Sequence, residues 1–174
     1  KDLTFTPRFF EANKAILQTE FRQANKNSFH IADFSFFNHG ENSRSHLFYN
    51  SKYNIDSKKF DKSFIEINLQ GTNNDTYLNT YDVSSPIIKN KTILESYFDY
   101  NIYDEDFSLN IYAKAIEDLS KKDNDRYEYV YPYVDFSKSF NNFNYSLKGY
   151  NKKFNTNQDI LDVTNKIIYS PREK

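Results

Sequence analysis

Cysteine is absent from the 174 residues, which excludes a disulfide framework, a thiol nucleophile and any thiolate metal site. Glycine and proline are scarce, at 3 and 4 residues. Beside so much Asn, Lys, Ile, Phe and Tyr, that scarcity points to an AT-rich genome and leaves Asn and Asp to make the turns that glycine would otherwise take. No apolar run reaches about 18 residues, so a transmembrane helix is not expected. The N-terminus carries no signal-peptide pattern, so the stretch reads as an internal portion of a longer protein. A net charge of -1 gives no basic field for nucleic acid. There is no Gly-x-Ser-x-Gly elbow and no Gly-rich phosphate loop.

Apolar character comes mainly from rings. Phe and Tyr number 17 and 15 with no Trp, in a chain only 38% hydrophobic. Aromatic residues favour strands and sit well at membrane interfaces, where ring and hydroxyl prefer different media. Residues 107–116 set Phe107, Leu109, Ile111, Ala113 and Ala115 on one face of a strand, and Ser108, Asn110 and Lys114 on the other. Likewise Ile65, Ile67 and Leu69 oppose Glu66, Asn68 and Gln70, and Leu94, Phe98, Tyr100 and Ile102 oppose Glu95, Asp99 and Asn101.

The pattern predicts strands over 2–9, 14–24, 29–37, 44–53, 62–70, 91–103, 106–118, 127–139, 142–151 and 160–170. Short polar turns join most of them, at Glu11-Ala12-Asn13, Asn25-Lys26-Asn27, Gly40-Glu41-Asn42, Asp56-Ser57-Lys58-Lys59, Asp104-Glu105 and Asn141-Asn142. Tight links between consecutive strands make an antiparallel meander. Residues 71–90 and 119–126 read as longer loops. Ile160, Leu161, Val163, Thr164, Ile167 and Ile168 also fit a helical stripe, and Pro132 implies a bulge or an open edge.

Two architectures share this alternation. A soluble sandwich turns its aliphatic face into a core, whereas a membrane barrel turns it to lipid and lines its lumen with the polar face. Strands of about ten residues exceed the usual sandwich length and match a tilted bilayer crossing, which favours the barrel. The fold class expected is therefore all-β, an antiparallel meander of about ten long strands forming an incomplete segment of a large transmembrane β-barrel. Its polar, lumen-facing candidates are Glu20, Arg22, Glu66, Asn68, Glu95, Asp99, Asn110 and Lys114.

Other chemistry has simpler explanations. His30, His39 and His46 lack metal-site spacing and read as polar surface positions, with a remote option of His39 and His46 meeting at a divalent ion. Asp123-Asn124-Asp125 lacks the glycine and terminal glutamate of a calcium loop and reads as a solvated turn. Glu66, Glu95 and Asp99 are better explained by a hydrated wall than by paired catalytic carboxylates. No catalysis and no cofactor are expected.

Short motifs in order carry a family resemblance. Thr6-Pro7-Arg8-Phe9-Phe10 with Leu17-Gln18-Thr19-Glu20-Phe21-Arg22, then Asn74-Asp75-Thr76-Tyr77-Leu78-Asn79-Thr80-Tyr81-Asp82, then Ala115-Ile116-Glu117-Asp118-Leu119 with Arg126-Tyr127 and Tyr131-Pro132, resemble the early barrel of the lipopolysaccharide-assembly outer-membrane protein family, LptD or OstA. Asn74 stands where that family often has Ser. The resemblance implies a partial barrel domain over 1–174, with an N-terminal jellyroll and further strands outside it. It also implies residence in the outer membrane of a Gram-negative bacterium, a plug lipoprotein of the LptE type, periplasmic bridge proteins and lipopolysaccharide as cargo. The alternatives are another outer-membrane channel of porin type and a soluble β-sandwich binding module. Asp75, Tyr77, Tyr81 and Asp82 are too polar and aromatic for a plain linker, so their loop is expected to fold over the barrel rim or into its mouth.

Overall fold

The computed structural model describes residues 1–10, 14–37, 43–154 and 159–169. The turn residues Glu11-Ala12-Asn13 and Gly40-Glu41-Asn42, together with His39, lie outside the described residues. Ten strands run in chain order: β1 (Asp2–Phe10), β2 (Lys14–Ala24), β3 (Ser28–Phe37), β4 (Arg44–Asn54), β5 (Lys62–Thr72), β6 (Ile93–Asp104), β7 (Phe107–Asp118), β8 (Tyr127–Ser139), β9 (Phe143–Phe154) and β10 (Asp159–Tyr169). Each pairs antiparallel with its chain neighbours in a single sheet ordered β1 to β10, and β1 does not pair with β10. The sheet is an open meander.

Alternation decides the faces and the register keeps them aligned from strand to strand. Leu17 lies opposite Phe36, Phe34 opposite Leu47, Tyr49 opposite Leu69, and Ile67 opposite Phe98, so one face is apolar across β2 to β6. On the other face Glu20 lies opposite Asp33, Asn50 opposite Asn68, Glu66 opposite Asp99, Tyr97 opposite Lys114, and Asn110 opposite Asp135. A one-residue slip in any pair would exchange the two faces of a strand.

Pro132 sits in the interior of the sheet. Pairing of β7 with β8 shifts between Tyr112 and Lys114, and that of β8 with β9 between Val130 and Tyr133, so Tyr131 and Pro132 together oppose a single residue on each side. A residue with no N–H to donate is accommodated by this bulge. The segment with two possible periods is strand β10, fixed by its unbroken ladder to β9 from Asp159↔Lys153 to Tyr169↔Phe143.

The expected strands differ from the observed ones mainly at their ends. β5 continues to Thr72 and β9 to Phe154, because pairing persists past the last alternating residues. Inside the loop after β5, Tyr77–Thr80 form one turn of helix, α1, and Asp123–Asp125 form a 3-10 turn before β8. Among the described residues no helix is long and apolar enough to cross a membrane.

Candidate functional site

Residues 73–92, between β5 and β6, pack onto the polar face of the sheet. Tyr77, Leu78 and Val83 are fully buried against Ile16 of β2, Phe37 of β3 and Phe48 of β4 on that face and against Leu94 and Leu119 at the end of the sheet, with Tyr81, Ile87 and Ile88 around them. Leu94 joins this core although alternation sets it with Phe98 on the other face. This is the hydrophobic core of the described chain. It forms where α1 offers Tyr77 and Leu78 as adjacent knobs and where Ile16, Phe37 and Phe48 interrupt an otherwise polar face.

Beneath α1 lies a buried polar chain. Ser35 Oγ is 2.6 Å from the Tyr77 hydroxyl and 2.7 Å from His46 Nδ1, and His46 Nε2 is 3.3 Å from Asp33 Oδ1. Gln18 Nε2 donates to both Asp33 oxygens at 3.0 Å and to the Ser84 carbonyl at 2.8 Å. Asp33, Ser35 and His46 are all buried. The order Ser-His-Asp resembles a hydrolytic relay only in composition. Its serine faces a tyrosine inside a packed core, and a nucleophile needs an approach path for its substrate. What the chain does is join loop to sheet, each polar group finding a partner where water is excluded.

His46 corrects the expectation that the histidines are surface residues. It is buried because position 46 falls on the face that the loop covers, directly opposite Ser35. His30 is half-buried on the apolar face, bonded to Tyr49, Ser51 and Ser28. Among the described residues no three His, Cys, Asp or Glu side chains gather as a metal site.

More contacts fix the loop at its ends. Arg8 of β1 donates to the carbonyls of Tyr81 at 2.8 Å and Asp82 at 3.3 Å, next to the C-terminal end of α1, where the exposed carbonyls favour a cation. Asp82 adopts a positive φ of 47° and pairs with Lys91. That hydrogen bond and charge hold its carboxyl below the usual range. Asp75 pairs with Arg126 at 2.8 Å, and Arg126 also pairs with Glu117 at 2.8 Å. The Asp75 bond, then those to Glu117, raise the Arg126 guanidinium above its ordinary value. Tyr127 donates to the same Glu117 at 2.8 Å. The two long loops are thus joined to each other. Tyr81 packs on Phe37 and Phe10 with the Arg44 guanidinium 5.7 Å from its ring centre.

Every polar candidate on the strands lies on the same face as this loop. Glu20 pairs with Arg22. Glu66 accepts from the Tyr97 hydroxyl at 2.6 Å, Asn68 donates to the Glu95 carbonyl at 2.6 Å, and Glu95 pairs with Lys114 at 3.0 Å. Asn110 donates to Asp99 and, at 2.9 Å, to Asn101. The candidates form two groups, Glu20 with Arg22 on β2 and the remaining six across β5, β6 and β7. A cavity of about 630 Å³ lies between them, floored by Arg22, Asn50, Glu66 and Asn68 and roofed by Pro86, Ile87, Lys89 and Asn90 of the loop.

Sequence reasoning missed Arg8, Gln18, Asp33, Ser35 and His46 as the anchors of the loop. A signal was present: expected strands over 29–37 and 44–53 set residue 37 opposite 44, and with them Ser35 opposite His46. No protein-family model matches this chain, and no curated protein is significantly similar to it.

Proposed function

We propose that this sheet is part of an outer-membrane β-barrel of the lipopolysaccharide-assembly kind, with its polar face lining the lumen and its apolar face against lipid. The observation that carries the reading is which face the loop covers. In a soluble sandwich a second layer would cover the apolar face, yet the loop packs on the polar one. Leu3, Phe5, Leu17, Phe36, Leu47, Leu69, Phe98 and Leu161 stay exposed on the other. An apolar surface of that breadth on a water-soluble domain invites aggregation, and in a bilayer it is the required exterior.

The cargo follows from the family resemblance in the three ordered motifs. An amphiphile with a phosphorylated sugar head and acyl tails needs a wet polar passage beside an apolar exterior, which two-faced strands supply. No bond is made or broken in such passage, so the chain acts as a conduit with no cofactor. The plug lipoprotein and bridge proteins belong to the same proposal. Short turns at 25–27, 55–61, 105–106 and 140–142 share one end of the sheet, and loops 73–92 and 119–126 share the other. Barrels of this class keep short turns on the periplasmic side, so on this reading the docked loop lies at the extracellular mouth.

Depletion of the full-length protein in its host, followed by measurement of surface lipopolysaccharide, tests the function. Loss of surface lipopolysaccharide with intact synthesis, and co-purification of a lipoprotein with the barrel, are the expected results. Normal surface lipopolysaccharide after depletion would leave a porin-type channel as the better reading.

A further inference from the structure

We infer that the cavity between the docked loop and β2 to β6 is a binding subsite for an uncharged saccharide. This rests on the conduit reading above and adds a fixed station inside it. The volume of about 630 Å³ lies within the range of small-ligand sites and exceeds what a single ordered water layer needs.

Its lining combines three properties. Four amides, Asn50, Asn68, Gln70 and Asn90, line it beside the charged groups, each carrying both a donor and an acceptor, as a polyol requires. Formal charge balances, Arg22 and Lys89 against Glu66 and Glu95, so the lining carries no net charge to select an ion of either sign. Ile31, Ile87 and Ile93 supply an apolar wall that the C–H face of a sugar ring can cover.

The polar lining is also held in place. Asn68, itself buried, is fixed by its bond to the Glu95 carbonyl, and Gln70 Oε1 accepts from the Glu95 N–H at 3.0 Å. Glu66 is held by the Tyr97 hydroxyl, and Glu95 by Lys114. The Asn50 amide makes only long contacts to its strand neighbours, 3.3 Å to Glu66 and 3.4 Å to Asn68, which a ligand can replace. Preorganised groups of this kind lower the ordering cost of binding.

Saturation-transfer NMR on the full-length protein in lipid nanodiscs, with maltotriose as probe and glucose 6-phosphate as the anionic comparison, tests the assignment. Saturable maltotriose binding is expected, weakened at least tenfold by Asn50→Leu. Absence of saturable binding to the unaltered protein would overturn it without recourse to any variant. So would preference for glucose 6-phosphate with loss on Lys89→Gln, which would mark an anion site, or binding indifferent to Asn50→Leu. Failure of the conduit reading is seen separately, as normal surface lipopolysaccharide after depletion.

Discussion

Tyr77→Ala will release the loop from the sheet. The ring is wholly buried in the core, and its hydroxyl is one end of the chain through Ser35, His46, Asp33 and Gln18. Removing a buried aromatic ring costs about 3 to 5 kcal/mol, more than a hundredfold in the docked population of a segment held largely by that core. Tyr77→Phe keeps the ring and loses one hydrogen bond, at about 0.5 to 1.5 kcal/mol. Large hydrophilic antibiotics should therefore enter cells carrying Tyr77→Ala far faster than wild type, with Tyr77→Phe close to wild type. Deletion of residues 73–80 should resemble Tyr77→Ala. Unchanged permeability with normal assembly in both would mean that the loop does not close the mouth.

Ionisation of Tyr77 bears on the alkaline side of this docking. Burial, the largest influence, raises its hydroxyl above the ordinary value near 10. A group whose pKa is raised on docking contributes stability that is complete below its undocked pKa and lost as the pH climbs through the docked one. Docking should be insensitive to Tyr77 ionisation at neutral pH and weaken above about pH 10.

Arginine at position 111 should block assembly, while arginine at position 110 should be tolerated. Ile111 lies opposite Tyr100 and Val134 on the apolar face, and Asn110 lies opposite Asn101 and Asp135 on the polar one. A cation on the lipid face near the bilayer midplane costs about 2 to 4 kcal/mol, whereas on a hydrated wall it keeps its water and gains a nearby carboxylate. Heat-modifiable mobility of the full-length protein on gels reads folded against unfolded barrel. Ile111→Arg should show little folded form and Asn110→Arg nearly the wild-type amount. Equal tolerance of both would remove the assignment of faces.

These adjacent positions show what the sequence makes legible. Strand existence, order and facing follow from a strict period of two broken by Asn- and Asp-rich turns, so the opposite facing of Ile111 and Asn110 follows from the sequence alone. The missing N–H of Pro132 marks an interruption of the ladder, and the pairing on both sides makes it a bulge instead of an open edge. The loop was legible only as something more than a linker. A single helical turn such as Tyr77–Thr80 is too short to show a period, so the burial of Tyr77 and Leu78 could not be read from spacing. His46 was misread because an alternating strand shows which residues share a face, whereas burial of that face depends on a segment some 30 residues further along the chain. Asp75 and Arg126 lay in two separate motifs, and nothing in either motif alone pairs them.

The central claim, that one face meets lipid and the other water, is tested most directly by nitroxide side chains. They are placed singly at positions 109 to 114 of the full-length protein in bilayers and relaxed by oxygen or by a water-soluble nickel complex. Oxygen accessibility should peak at 109, 111 and 113, and nickel accessibility at 110, 112 and 114. Nickel maxima at 109, 111 and 113, or no two-residue alternation, would contradict the membrane-barrel account and return the soluble sandwich to first place.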